Sequence, residues 1–290
     1  MLELVLQALY SGVLNGGSYA LIALGLAVVF GTVRVINLAH GELVLLAAYV
    51  AYAVEAGWGA NPLLAIPLAL IVVCATAALV HVLVSRLRQE RELNSLLLTY
   101  GVAVILTNAM LSIWKADIRS TGSAWLQDAL AFGPLYSMRG ELLFFVIGIL
   151  LLAVAGWWLS ASWYGRALRA VSSNREAAML MGVNPRAAEM SAFLVAGILA
   201  AIAGVALYGT GVIQPALGAA LTIKAFVITV LAGVGSIPGV LIGAVLIGIT
   251  ESLTVTLYSS ALQELSGMLL FLLVLFVLPQ GLFGAARRRG

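Results

Sequence analysis

The sequence predicts an all-α, polytopic integral membrane protein. It reads as one transmembrane domain over residues 1–290, a helical bundle of eight or nine spans with at least one broken or re-entrant helix. Three observations carry this expectation. Hydrophobic residues make up 63% of the 290-residue chain and charged residues only 9%, where soluble domains carry roughly 25% charged residues. Mean hydropathy is accordingly +1.11. The apolar residues fall into runs close to the roughly 20 residues that cross about 30 Å of hydrocarbon. The 30 glycines suit a membrane bundle, in which small residues let backbones approach. The same composition sets aside other classes. The net charge of +3 comes from basic residues gathered at the edges of apolar runs, as the positive-inside rule expects, and not from a nucleic-acid footprint. Cys74 is the only cysteine and forms no internal disulfide. The first residues, MLELVLQALYSG, lack a basic n-region, so no cleaved signal peptide is expected.

The first span is expected from Leu4 to Phe30, with Asn15-Gly16-Gly17-Ser18 inside it. The glycines there read as packing surfaces, whereas Asn15 is a membrane-depth amide that needs partners. The polar stretch Gly31 to Glu42, GTVRVINLAHGE, follows. The apolar segment after it, Leu43 to Val54, is too short to span alone. The stretch is therefore either an aqueous loop or a helix break at membrane depth, of the kind that forms transport sites. Further spans are expected over Leu63–Val84, Leu96–Ile113, Glu141–Leu159, Met190–Tyr208, Val240–Leu257 and Leu265–Leu278. Basic loops around Arg86 and over Trp163–Glu189, with the tail Arg287-Arg288-Arg289, belong on the cytoplasmic side; the mixed-charge loop Lys115–Gly140 belongs outside. That assignment requires an even number of crossings after Glu189, so Leu217–Leu231 is expected to cross as well. Gly31–Gly41 weakly echoes Gly209–Gly218, and internal repeats of this sort occur in transporters.

The longest polar interruption, Trp163 to Glu189, holds a compact helix signal. Asn174 suits an N-cap, Glu176 lies in the first turn, Gly182 suits a left-handed stop, and Asn184-Pro185 opens the next helix. Met179, Leu180 and Met181 put apolar side chains on a segment too charged for lipid, and such a surface fits a protein partner. No catalytic set is visible. There is no HExxH, CxxC or GxxxxGK[ST], hence no metal motif and no P-loop. His40 and Glu42 are two residues apart and do not share a helix face, so a structural part in the break is preferred to general base catalysis. Ionisable residues at membrane depth mark function by default. The translocation-path candidates are Asn15, Asn37, His40, Gly41, Glu42 and Glu251, and Lys224 reads as structural.

At this point the chain resembles a known family. Leu14–Leu26, Ile36-Asn37-Leu38-Ala39-His40-Gly41-Glu42, Lys224-Ala225-Phe226, Gly233–Gly239 and Pro279–Gly284 look in order like the LivH-type permeases of branched-chain amino acid ABC importers. The resemblance implies a multi-pass subunit of a bacterial inner membrane, paired with a second, LivM-like permease. It also implies two cytoplasmic ATPase subunits and a periplasmic binding protein, with ATP-Mg bound on the ATPases and no cofactor or metal on this chain. Glu176-Ala177-Ala178 followed by Gly182 matches the core of the EAA motif, by which such permeases meet their ATPases. Asn174, Arg175, Glu176, Ala177, Ala178, Met179, Leu180 and Gly182 are the coupling candidates that follow. Ala192 stands where that motif usually has isoleucine, and no Leu-Pro follows. Urea or short-chain amides are the alternative cargo within the family. A stand-alone channel or secondary carrier is the alternative class.

Overall fold

The computed structural model describes residues 1–87 and 91–284. Arg88 and Glu90 of the first basic loop, and the tail Arg287-Arg288-Arg289, lie outside the described residues. The chain forms α1 (Leu2–Val33), α2 (His40–Trp58), a 3-10 turn at Pro62–Ala65, α3 (Ile66–Ser85) and α4 (Arg91–Trp114). A small extramembrane cap follows, with β1 (Arg119–Ser120), α5 (Ala124–Gln127) and the hairpin β2 (Ala129–Phe132) to β3 (Leu135–Met138). Then come α6 (Arg139–Ala161), α7 (Trp163–Ser173), α8 (Arg175–Leu180), α9 (Pro185–Thr210), β4 (Val212–Ile213), α10 (Leu217–Ala232), α11 (Ile237–Leu257), a turn at Ser260–Leu262 and α12 (Gln263–Val277). Among the described residues eight helices are long and apolar enough to cross a membrane.

The core is the inner ring of α1, α2, α9, α10 and α11, and small residues draw it together. A Cβ built on Gly12 or Gly16 of α1 would stand 2.6 Å from the Cα of Ile249 or 2.5 Å from that of Val245 on α11. One on Gly204 of α9 would stand 2.1 Å from the Val44 carbonyl on α2. The helices therefore touch backbone to backbone, which is how apolar helices gain contact energy when lipid is as apolar as they are. This decides the reading of Asn15–Ser18. The glycines do not interrupt α1, which runs unbroken for 32 residues; they form its seam with α11. Around this ring α3, α4, α6 and α12 present exposed Leu, Ile, Val and Phe side chains, as a lipid- or partner-facing shell does.

One break falls in the polar stretch Gly31–Glu42 where the sequence allowed it, and a second lies between α9 and α10. Arg34, in a left-handed conformation, ends α1. Residues 34–39 then run without helix back into the bundle, so that α2 begins at His40, beside Ile22 in the interior of α1. Likewise α9 ends at Thr210, β4 pairs antiparallel with β1 of the cap, and α10 begins at Leu217 deep in the bundle. Here α2 is longer than the apolar run Leu43–Val54 suggested, because its first turn is the polar His40-Gly41-Glu42. The segment Leu217–Ala232, expected to cross, is a 16-residue apolar helix, shorter than the eight long enough to span. It starts against Gly41 and ends at the Gly233–Gly235 turn, beside Gly31 at the basic end.

The seam yields a first prediction. Gly248→Leu would drive a side chain into the Gly12 carbonyl, 2.4 Å from the Cβ position, and should cost at least about 1–3 kcal/mol. It should appear as lost monodisperse protein on size-exclusion chromatography in detergent. Gly57→Leu, with nothing within 4 Å, should elute like the parent.

Candidate functional site

The first site is the meeting point of the two breaks. Backbone that leaves helical bonding inside a membrane must find other partners. At residues 34–41 two threonines supply them. Thr99 of α4 accepts from the Leu38 N–H at 3.1 Å, and its Oγ1 lies 3.3 Å from the Ile36 carbonyl. Thr222 of α10 accepts from the Gly41 N–H at 2.8 Å, and its Oγ1 lies 3.2 Å from the Leu38 carbonyl. Asn37, buried, folds its own side chain back to accept from the Ala39 N–H at 3.1 Å, turning the chain into α2. His40, also buried, reaches the Ile22 carbonyl through Nε2 at 2.8 Å, and its ring fills the space that Gly25 leaves open. Asn37, His40, Gly41 and Glu42 are thus brought together. Asn15 is not among them: it lies exposed on α1.

The weak sequence echo marks this same place. Its two terminal glycines, Gly41 and Gly218, lie face to face, and a Cβ on Gly41 would stand 2.0 Å from the Gly218 carbonyl. The first turns of α2 and α10 are therefore pressed together in the middle of the bundle, directing two positive helix ends at one region. Glu42 rests on this junction. Its carboxylate occupies the room Gly218 leaves, where a Cβ would stand 1.9 Å from Oε2. Beside it opens a cavity of about 380 Å³, lined among others by Leu38, Tyr100, Thr107, Asn108 and Ile223.

Glu251 belongs to a different cluster. It takes Lys224 Nζ at 3.0 Å, the Tyr19 hydroxyl at 2.7 Å and Gln263 Nε2 at 3.2 Å, and the Lys224 ammonium sits 4.3 Å from the centre of the Tyr19 ring. An ion pair with these extra bonds ties α1, α10, α11 and α12 together.

The second site is the polar segment at the basic end. It contains two helices where the sequence signalled one. Preceding the expected helix is α7, an amphipathic turn of chain that buries Ala167, Leu168 and Val171 and leaves Trp163 and Tyr164 exposed. The short helix α8 begins and ends as read. Asn174 accepts from the Ala177 N–H at 3.0 Å. Gly182 adopts a φ of 79°, with the Val183 N–H bonded to the Ala178 carbonyl and the Gly182 N–H to the Met179 carbonyl, a complete Schellman stop. Arg175, Glu176 and Ala177 form its first turn. Ala178 faces inward and is buried, whereas Leu180 and Met181 are 89% and 83% exposed.

Sequence reasoning missed the joint behind this helix. Glu189, buried on α9, receives both terminal nitrogens of Arg91 from α4, at 2.9 and 2.6 Å, and the guanidinium of Arg175 from α8. His81 of α3 lies beside it at 3.9 Å. Nothing local in the sequence pairs Glu189 with Arg91 across 98 positions; Thr99 and Thr222 were likewise unmarked, because mid-helix threonines carry no signal of their partners.

A polytopic helical bundle with a broken-helix junction at its centre and a helical platform at its basic end belongs to a membrane protein, and the sequence places it among the permeases. Residues 8–278 match the family of branched-chain amino acid transport system permease components, and the chain belongs to that family. It is 30% identical to BraD of Pseudomonas aeruginosa, over 96% of this chain and 95% of that one. It is also 30% identical to LivH of Escherichia coli, with the same coverage. Both are high-affinity branched-chain amino acid transport system permease proteins. A fructose import permease of Rhizobium meliloti, FrcC, shares 33% identity over only 36% of this chain and 31% of its own. No solved structure matches.

The junction gives a second prediction. Thr222→Val removes the acceptor for the Gly41 N–H and should cost about 1–3 kcal/mol for one stranded buried donor, read as a lower thermal midpoint in nanodiscs. Thr222→Ser should restore the parent value to within about 1 kcal/mol.

Proposed function

We propose that this chain is one of two permease halves of an ATP-driven importer for branched-chain amino acids, in a bacterial inner membrane. A second, LivM-like permease completes the path, two ABC ATPases bind at the basic end and carry the ATP-Mg, and a periplasmic binding protein delivers the cargo. The observation that supports this best is similarity along nearly the whole chain to LivH and BraD, joined to a capped helix with exposed Leu180 and Met181 at the basic end.

In this reading no bond in the cargo is made or broken. The ATPases grip α8, and ATP-driven closure favours one of two bundle arrangements because the partner contacts them differently. Arg175 and Glu189 link α8 to α9, and Arg91 links the same carboxylate to α4, so movement of the platform reaches membrane helices through charged contacts. The path must receive a zwitterion with an aliphatic side chain and release it again, which calls for transient polar groups and no tight site.

Two experiments test this. With the partner subunits present, Gly182→Leu, which forces a side chain into a left-handed backbone, and Glu176→Lys, which puts a cation at a helix N-terminus, should each lower leucine uptake at least about tenfold while membrane levels hold. Normal uptake in both variants refutes docking through α8. A cysteine at Leu180 should crosslink to an ATPase subunit, whereas one at the inward-facing Ala178 should not; the reverse pattern contradicts the platform assignment.

A further inference from the structure

Glu42 is 3% exposed, sits at the junction of the two breaks, and its Oε2 has no hydrogen-bond partner. The Thr107 hydroxyl is its side-chain hydrogen-bonding neighbour, and among the described residues no ion pair reaches it. This contrasts with the other buried carboxylates of the bundle. Glu189 holds two arginines and Glu251 holds Lys224. A buried carboxylate without a cation is costly, yet the fold builds a place for this one: Gly218 leaves the room that the carboxylate fills, and Gly41 lets the first turns of α2 and α10 meet beside it.

The cavity beside it opens on the outer face of α4 and α10, where Tyr100, Val104 and Ile223 are exposed; in the assembled importer proposed above the second permease half covers this face. On α4 its rim carries Tyr100, Thr107 and Asn108, and polar side chains at such depth face water-filled space or protein rather than acyl chains. The remaining wall is Leu38, Ala103, Val104, Ala219 and Ile223, an apolar lining around one acidic corner. At about 380 Å³ it is within the range of small-molecule sites.

We propose that the Glu42 carboxylate is the ammonium-recognition point of the translocation path: it receives the primary ammonium of the passing amino acid while the aliphatic side chain lies along the Leu38–Val104–Ile223 wall. The missing counter-charge is then supplied by the cargo. Neutral urea or amides bring no such charge, so Glu42 selects amino acids over them. The identity of the cargo rests on the importer reading above; the charge preference of the cavity does not.

The test uses the full chain assembled with its partner subunits in proteoliposomes, with Cys74→Ala removing the one native thiol and Asn108→Cys placing a reporter on the cavity rim. The probes are two water-soluble methanethiosulfonates of similar size, one bearing an ethylammonium group and one an ethylsulfonate. Their labelling rates are compared with Glu42 intact, in Glu42→Gln and in Glu42→Asp. The cationic reagent should be favoured with Glu42 and Glu42→Asp, and Glu42→Gln should lower that preference at least about fivefold, the factor one charge near 4 Å gives in water. Leucine should slow labelling in the first two and not in Glu42→Gln. An unchanged ratio in Glu42→Gln, as a permanently protonated carboxyl would give, overturns the proposal. So does failure of the cationic reagent to reach position 108. Should wild-type vesicles fail to import leucine while the charge preference persists, the cargo assignment fails and the cationic subsite stands.

Discussion

A peptide group inside hydrocarbon has no water to bond, and the centre of this molecule is built around that constraint. Two chain segments leave helical geometry at depth, and each needs its N–H and C=O groups answered by something nearby. For residues 36–41 the answers come from Thr99 and Thr222, and from the Asn37 side chain; the second break pairs β4 with β1 and turns into α10 through the Leu217 N–H to Gln214 carbonyl bond. They come at the cost of side chains at Gly41 and Gly218, where no Cβ fits. Once these bonds are made, two helix starts face one another, His40 is pinned to α1 and Glu42 is seated at the junction. The polar interior of the permease is therefore a by-product of satisfying its broken backbone, rather than a set of polar residues scattered along spans.

The basic end obeys a different rule. Here the structure concentrates charge on one carboxylate, Glu189, shared between helices that are far apart in sequence. A shared carboxylate couples its partners: moving Arg175 with α8 changes what Glu189 offers to Arg91. Exposed apolar residues on α8 and ionic contacts beneath it form two faces of one short element, one for a partner and one for the bundle. A Schellman stop keeps that element short and rigid.

Much of this was legible in the sequence, and the physics explains which parts. Span number, the capped helix Asn174–Gly182 and a break near Gly31–Glu42 follow from local signals: hydropathy, cap residues and a polar run of known length. The start of α2 was misjudged because its first turn is polar, so hydropathy placed it at Leu43 instead of His40. Ala178 belonged to the motif but faces inward, since a motif fixes sequence spacing and not which side of a one-and-a-half-turn helix is covered. Long-range pairs were invisible. Neither Thr222 with Gly41 nor Arg91 with Glu189 leaves any trace in one sequence. The echo between Gly31–Gly41 and Gly209–Gly218 was the one non-local signal, and it pointed at the junction.

The glycine seam between α1 and α11 has a mechanical consequence. Gly12, Gly16 and Gly248 key the two helices backbone to backbone, and a keyed joint resists sliding, since any axial slip of a few ångströms brings the flanking Tyr, Leu and Ile side chains into collision. These two helices must then travel as one stave through any opening and closing of the bundle. The compliance is left to the outer helices α3, α4, α6 and α12, whose long flexible side chains tolerate a shift of register, and among the described residues α4 is the one of these that reaches both the Glu42 junction, through Thr99, and the Glu189 joint, through Arg91.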